Sequence, residues 1–388
     1  MRLGPIEIAG RESSLISPLA FSRHLHDVRR SRTVNVDYVS VSESRLRSLA
    51  LSGPGGILGV TAGSRLHVCR RDRFGDFRVE SWQYRNEFPL VGCEWYAADG
   101  AVAILADVSG HIRVLDVATS SLASDISFGA EISLTHLSMS PVDHTLFVAC
   151  LDGFEGTRLV DIRSGSHSQI LGVSRMKNDS ARAATCSAWS VADQYHCVVG
   201  RADQTITMFD IRRPKPLYEI PSVSHVGIRP ITGLQFNPFG SNMFASLCGD
   251  RVIGWRVDGS HGLCKPVHSH AFSNYRHNRP KHIQFAVSSD SVYFPDGHSI
   301  NVFEQFGKRG MRLKEIAVGL GDLSAVLWDE HDQILYTSDD NGVVGVVTPK
   351  FRQDDADDNP IIEWESYSDD SDVEFPQQTN EEPSFRVC

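Results

Sequence analysis

The 388-residue sequence lacks several patterns that mark broad classes of protein. No apolar run approaches the roughly 18 residues that a membrane-spanning helix requires, and the first 30 residues lack the apolar segment of a secretory signal. The eight cysteines include no Cys-x-x-Cys pair, which favours reduced thiols over a disulfide framework. We therefore expect a protein of the cytosol or nucleus that has no membrane partner.

The signatures of common catalytic sites are also missing. The sequence has no Gly-x-x-x-x-Gly-Lys-Ser/Thr loop, no strand-borne Gly-x-Gly-x-x-Gly, no Gly-x-Ser-x-Gly elbow and no His-Glu-x-x-His pair. This predicts a non-enzyme with no catalytic residue, no cofactor and no metal. Residues 261–282 do contain soft metal ligands, but in no zinc-family spacing: His261, Cys264, His268 and His270. We interpret this stretch as an exposed connecting loop; an enzyme or metal protein that uses it is an alternative.

Negative charge is concentrated at one end of the chain. Residues 354–388 contain twelve Asp or Glu and one Arg, so this segment carries −11 whereas the whole chain carries −10, and the residues before it sum to +1. A segment this acidic buries too little apolar surface to fold alone, which predicts a disordered acidic tail over 353–388. The nearly neutral remainder has no broad basic surface, so we expect no direct sequence-specific nucleic-acid binding.

Seven stretches of similar pattern follow one another through the middle of the chain. Each reads as strand, polar turn, strand, tight turn and strand, with a fourth strand in the weaker connecting stretch. Asp116, Asp161, Asp210 and Arg256 mark strand ends that are 45, 49 and 46 positions apart. The units are 45–71, 90–117, 134–162, 184–211, 231–257, 281–305 and 324–350. This repeat length, with an apolar residue before Asp, is typical of WD repeats and predicts an all-β, seven-bladed WD-repeat β-propeller over 45–352.

The first 44 residues are predicted to form a helical arm and a closing strand. Residues 18–32 place Phe21, Leu25 and Val28 on one helical face. This helix either docks into another protein or lies on the rim of the propeller. Residues 33–41 alternate apolar and polar side chains. We expect them to form the outer strand of the seventh blade beside 342–347, because an open ring would leave a strand edge exposed.

The sequence Asp-Ile-Arg ends a predicted strand twice, at 161–163 and at 210–212. In a propeller, the preceding Val160 and Phe209 would pack between blades, and Arg163 and Arg212 would lie on one ring face, on the neighbouring third and fourth blades. Two explanations are open. Either the arginines form a pair that binds partner carboxylates, or Asp-x-Arg is only a local turn hydrogen bond of the repeat.

These two endings and the N-terminal helix resemble the WD-repeat substrate receptors of the cullin-4 ubiquitin ligases, and among them the Cockayne syndrome group A family. The resembling segments are RLVDIRSGSHSQIL (158–171), DQTITMFDIRRP (203–214), SVYFPDGHSINVF (291–303) and PIIEWESYSDDSD (360–372). His225 and Asp250 resemble the buried His–Asp pair of WD repeats. The motif's Trp is Val160 in one copy and Phe209 in the other, while its Asp and Arg are kept.

The resemblance implies a nuclear, non-catalytic substrate-recognition subunit of a cullin-4 RING ubiquitin ligase that acts in transcription-coupled nucleotide excision repair. Its implied partners are the ligase adaptor (the large subunit of the damage-specific DNA-binding protein), a Cockayne syndrome group B-like ATPase and the RNA polymerase II complex. The adaptor-binding residues would be Phe21, Leu25, Val28, Asp161, Arg163, Phe209, Asp210 and Arg212. The alternative is a WD-repeat scaffold of another nuclear complex with no ligase role.

Large apolar side chains stand inside the acidic tail, at Ile361, Ile362, Trp364 and Tyr367. Tryptophan is enriched at binding hot spots, and the flanking carboxylates would steer the segment towards a basic surface. We therefore predict that these four residues bind a repair partner. The alternatives are a tail that only solubilises the protein, or a Trp364 that folds back onto the propeller.

Overall fold

The computed structural model describes residues 34–349 of the chain. The exceptions within this range are 54–55, 72–76, 97, 130–131, 153–155, 172–182, 214, 221–229, 240–241, 248–250, 258–263, 272–282, 305–311 and 319. Every regular element in the described part of the chain is a β-strand. This part therefore contains no helix that could cross a membrane. The strands form seven four-stranded antiparallel sheets, one for each repeat unit, which we call blades 1 to 7 in the order of those units.

Strand β1 (Val34–Ser40) comes first in the chain and belongs to blade 7, whereas blades 1 to 4 follow in simple order. Blade 1 contains β2 (Leu46–Leu51), β3 (Ile57–Ala62), β4 (Arg65–Arg71) and β5 (Phe77–Arg85). Blade 2 contains β6 (Leu90–Trp95), β7 (Val102–Asp107), β8 (His111–Asp116) and β9 (Ser121–Ser127). Blade 3 contains β10 (Leu134–Met139), β11 (Leu146–Leu151), β12 (Thr157–Asp161) and β13 (Ser166–Leu171). Blade 4 contains β14 (Ala184–Trp189), β15 (His196–Arg201), β16 (Ile206–Asp210) and β17 (Pro216–Ile220).

The remaining strands form blades 5 to 7. Blade 5 contains β18 (Ile231–Phe236), β19 (Asn242–Leu247), β20 (Arg251–Val257) and β21 (Cys264–Ala271). Blade 6 contains β22 (Ala286–Val287), β23 (Ser291–Asp296), β24 (Ser299–Glu304) and β25 (Arg312–Ala317). Blade 7 contains β26 (Leu323–Asp329), β27 (Ile334–Asp339) and β28 (Val343–Pro349), with β1 outermost.

The blades form a closed ring. The first strand of each blade lies innermost and contacts the first strand of the next blade, and β26 of blade 7 contacts β2 of blade 1. Seven clusters of buried apolar side chains fill the seven interfaces between neighbouring blades. Because each blade is covered on both sides, whole strands are buried, as β15 and β16 show. This two-sided burial explains why the central strands read as continuous apolar runs.

The ring is latched by a strand from the N-terminal side. Strand β1 pairs antiparallel with β28, from Val34 opposite Pro349 to Ser40 opposite Val343. Its Val34 and Val36 pack against the apolar cluster between blades 6 and 7. The chain then passes close to the β27–β28 turn, where Gly342 has a φ of 83° and its carbonyl accepts the N–H of Val41 at 3.0 Å. The predicted closing strand is thus confirmed.

The stretch 261–282 differs from its interpretation as a connecting loop. Residues 264–271 form β21, the outer strand of blade 5, with Pro266 opposite Trp255. An outer strand pairs on one side only, so it accepts proline and polar residues that would not fit a central strand. Several other predictions lie outside the described residues: the helix at 18–32, the tail at 353–388, and His225, Asp250 and His261.

Candidate protein-docking site

The third strands of blades 3 and 4 end in the two Asp-Ile-Arg sequences, and the two turns are built alike. Asp161 accepts the backbone N–H of Arg163 at 2.9 Å and its Nε and Nη2 at 3.0 and 2.7 Å. Asp210 accepts the same three groups of Arg212 at 3.0, 2.9 and 2.7 Å. The preceding Phe209 is fully buried among side chains of blades 3 and 4, as predicted. The arginine side chains are exposed, at 69% for Arg163 and 57% for Arg212.

The aspartate and the arginine of each turn have separable roles. In blade 2, Asp116 occupies the equivalent strand end and accepts the backbone N–H groups of Ala118 and Thr119 at 2.9 and 3.1 Å, although no arginine follows it. The aspartate therefore caps the turn, and the arginine is an addition in blades 3 and 4. The local turn bond exists, and it engages Nε and one hydrogen of Nη2 of each arginine. Nη1 and the second Nη2 hydrogen are left for a partner, so binding of partner carboxylates stays a prediction.

Both pairs are ionised at neutral pH and held in place. Hydrogen bonds from Arg163 lower the pKa of Asp161, and those from Arg212 lower the pKa of Asp210 to about 2. The guanidinium of Arg212 also lies over the ring of Tyr195, 4.2 Å from its centre, a cation–π contact. Among the described residues, the Nη1 groups of these arginines form no hydrogen bond. Each arginine thus presents a fixed positive edge to solvent.

A second feature, which sequence reasoning missed, is a set of exposed apolar side chains at the turns after the first strands of blades 3, 4 and 5. Val142 is 47% exposed, Val191 40% and Phe239 68%. We call these three residues the turn patch. The signal lies in the segments SPVDH, SVADQ and NPFGS, which follow the first strand in three consecutive units. From the sequence alone, apolar residues in such turns cannot be distinguished from residues that pack in the core, and only the structure shows that they are exposed.

The turn patch and the two arginines lie on the same face of the ring. The first and third strands of an antiparallel blade run in the same direction, so they end on the same face. Asp143 and Asp193, in the turns that carry Val142 and Val191, act electrostatically on Arg163 and Arg212, which agrees with this placement. We call this surface, made of Arg163, Arg212 and the turn patch, the docking face.

The central channel adjoins the docking face. It encloses about 590 Å³ and is lined by the innermost strands and by the turn residues Pro141, Val191 and Pro238. Burial raises the pKa of Glu94 on β6 to about 8 and also raises the pKa of Asp329 on β26. No group of three His, Cys, Asp or Glu side chains in the described part of the chain is placed to hold a metal.

No protein-family model and no curated protein matches the sequence. The fold does match solved structures. The β-propeller domain of Cps50 (Swd1) from Myceliophteria thermophila is similar to this chain with a TM-score of 0.67 and 15% sequence identity, over 82% of this chain and 100% of that domain. At this identity the similarity shows the fold alone. The chain therefore has a WD40-like β-propeller fold.

The structure brings together only part of the predicted adaptor-binding set. Asp161, Arg163, Phe209, Asp210 and Arg212 lie at equivalent positions of neighbouring blades. Both the arm residues and the tail residues fall outside the described part of the chain: Phe21, Leu25, Val28, Ile361, Ile362, Trp364 and Tyr367. Their assignments remain predictions.

Proposed function

We propose that this chain is a non-catalytic substrate-recognition subunit of a cullin-4 RING ubiquitin ligase, and that its docking face binds the ligase adaptor. The observation that carries the proposal is the pair of equivalent Asp–Arg turns on neighbouring blades, on the ring face that also carries the exposed turn patch. Arginine and aromatic anchors of this kind dominate the energetics of protein interfaces. A second-strand or core residue could not serve in this way, because the neighbouring blades cover it.

The internal hydrogen bonds make these arginines better suited to a rigid interface. A free arginine side chain loses much rotamer freedom when a partner fixes it, whereas Arg163 and Arg212 are already fixed by their aspartates. Their Nη1 groups would donate to carbonyl or carboxylate oxygens of the adaptor, and the turn patch would supply the apolar contact area. Val160 and Phe209, which stand where the resembling motif has tryptophan, are fully buried and so are not part of the exposed edge.

The finer part of the proposal follows the family resemblance. The adaptor would be the large subunit of the damage-specific DNA-binding protein, and the ligase would act in the nucleus in transcription-coupled nucleotide excision repair. A Cockayne syndrome group B-like ATPase and the RNA polymerase II complex would be the further partners. In this role the propeller contacts proteins and makes no sequence-specific contact with DNA.

The test is a binding measurement with purified adaptor and the double variant Arg163→Glu/Arg212→Glu. Reversing two interface charges should weaken binding by several kcal/mol, or more than about 100-fold. Phe239→Ser should weaken it as well, through lost apolar contact. Far-ultraviolet circular dichroism should match the wild type, because both arginines are exposed. The melting temperature should fall only modestly, since the lost ion pairs contribute little to stability.

Arg65→Glu/Arg85→Glu is the matched control. It makes the same two charge reversals at exposed arginines at the start of a third strand and the end of a fourth, on the opposite ring face. The proposal is wrong if both double variants bind the adaptor as tightly as the wild type does. Adaptor-independent capture of other nuclear proteins through the docking face would then support the scaffold alternative.

A further inference from the structure

A second candidate site lies in the seam between blade 1 and blade 7, away from the docking face. A cavity of about 750 Å³ opens there between the chain that follows β1, the β3–β4 turn and strands β4 and β5. Its lining is mainly polar and includes Ser40, Ser42 and Ser64 together with Arg65 and Arg85. We call this cavity the seam site. It lies at the start of β4, whereas the docking face lies at the ends of the third strands.

Two arginines stand directly opposite each other in the seam site. Arg65 on β4 pairs in register with Arg85 on β5, so their side chains share one face of the sheet. Like charges at directly opposed positions destabilise a sheet. Neither arginine forms an ion pair with any described residue. Two opposed positive charges that the described residues do not neutralise indicate a place for an anion.

The same face carries a buried imidazole with an unsatisfied nitrogen. His67 lies two residues beyond Arg65 on β4, opposite Gln83, and is 7% exposed. Its Nε2 is buried and has no hydrogen-bond partner, although buried polar atoms are normally paired. Burial, with a smaller contribution from Arg65, lowers the pKa of His67, so the ring is neutral at pH 7. His67 also lines the seam site, so its unpaired Nε2, when it carries the ring proton, is a donor that a bound ligand would satisfy.

The acidic residues of the cavity do not cancel its positive charge. Glu80 forms an ion pair with Arg70 at 2.8 Å, so its charge is already matched. Glu43 lines the rim and is exposed to solvent. The remaining lining groups are donors or can act as donors: two guanidiniums, one imidazole, the amide of Gln83 and the hydroxyls. A doubly charged ligand with three acceptor oxygens fits this set better than a carboxylate, which has one charge and two oxygens.

We propose that the seam site binds the phosphate group of a phosphorylated serine or threonine on a partner protein. Arg65 and Arg85 would each bind a terminal phosphate oxygen. His67 and Gln83 would donate hydrogen bonds to the third terminal oxygen and to the ester oxygen. This goes beyond the proposed adaptor docking, because it is a second site on another face of the ring. A propeller with both sites would hold an adaptor and a phosphorylated partner at the same time.

The experiment uses a degenerate peptide library with a fixed central phosphoserine, immobilised and probed with the full chain. Two parallel libraries carry serine or glutamate at the centre. The wild type should retain a subset of the phosphoserine peptides, and Arg65→Gln/Arg85→Gln should bind the same peptides at least about 10-fold more weakly. Arg163→Gln/Arg212→Gln, the matched control on the docking face, should bind them as the wild type does. His67→Gln should give an intermediate loss.

A second measurement separates binding from a structural role. Without ligand, Arg65→Gln/Arg85→Gln should be at least as stable as the wild type, because the substitution removes a like-charge repulsion. Addition of a phosphopeptide that the wild type retained should raise the melting temperature of the wild type but not that of the variant. The proposal is overturned if the wild type retains no phosphoserine peptide, if the double variant retains them equally, or if the glutamate library binds equally well. Binding of inorganic phosphate with no preference for phosphopeptides would also overturn it, since that marks a site for free anions.

Discussion

The aspartate at the end of the third strand in blades 3 and 4 caps the turn and also holds an exposed arginine in place. Asp210 accepts three hydrogen bonds from Arg212 and is itself buried, whereas Arg212 is largely exposed. The comparison with Asp116 shows that the backbone bonds suffice to form the turn. The ion pair is thus an addition whose energetic contribution should be small and sensitive to pH.

Asp210→Asn should lower the free energy of unfolding by about 1 kcal/mol at pH 7, because asparagine keeps an acceptor oxygen but loses the charge. The pKa of Asp210 is about 2 in the folded protein, below the value of about 3.9 expected when unfolded. Its stabilising effect is therefore complete above about pH 4 and is lost as the pH falls towards 2. Chemical denaturation from pH 7 down to pH 3 should show wild type and variant converging below pH 4.

The control for this prediction is Arg212→Gln. In that background Asp210 has lost the partner that lowers its pKa, so adding Asp210→Asn should cost little at any pH. A cost of Asp210→Asn that is independent of pH, and the same in both backgrounds, would show that the ion pair contributes nothing.

At the scale of strands, we expect β1 to be essential for a soluble protein, and residues 1–33, which precede it, to be dispensable for solubility. A chain without residues 1–44 lacks β1, so the edge of β28 is left unpaired along Val343–Pro349. Exposed edge strands template association between molecules. We expect this shortened chain to aggregate or to remain insoluble, as judged by size-exclusion chromatography with light scattering.

A chain without residues 1–33 keeps β1 and provides the matched control. It should be soluble and monomeric, and weaker adaptor binding by this chain would support the predicted docking helix around Phe21, Leu25 and Val28. A soluble, cooperatively unfolding chain without 1–44 would contradict the latch prediction.

The strands also show what the sequence could and could not predict. The first three strands of each unit carry paired apolar faces, because blades cover them on both sides, so the repeat and its boundaries follow from the sequence. The outer strands carry weaker signals: β9 is exposed along most of its length, and β21 combines two histidines, a proline and a serine, a composition that resembles a loop. Tertiary pairing determines these strands. For the same reason, Asp161 and Asp210 were identified by motif, whereas the turn patch and the seam site depend on which blades become neighbours.

At the scale of the whole molecule, Gln284 ties the ring where it closes. Its side-chain amide accepts the backbone N–H of Leu49 at 2.9 Å and donates to the backbone carbonyl of Leu49 at 2.7 Å. The backbone carbonyl of Gln284 accepts the N–H of Val326 at 2.9 Å. One residue thus links blades 6, 7 and 1. Because each blade is stabilised by two neighbours, weakening this junction should affect the unfolding of the entire ring.

Gln284→Ala should lower the free energy of unfolding by about 1–3 kcal/mol, since two backbone groups of Leu49 lose their partners. The unfolding transition should remain single and move to lower denaturant. Gln235→Ala is the control: this glutamine also lines the channel, on β18, and no hydrogen bond of its side chain is seen among the described residues. Equal effects of the two substitutions would show that the link at Gln284 has no special role.

The pairing of β1 with β28 has a consequence for how the protein is made. The ribosome delivers β1 first among the described strands, yet its partner emerges roughly 300 residues later, about 15–60 s at usual rates of translation. During that time, the nascent chain contains the apolar strands of six blades in an open ring, and β1 has no pairing partner. Chaperone demand should therefore peak late in synthesis, and a stop codon within blade 7 should be as damaging as one in the middle of the gene.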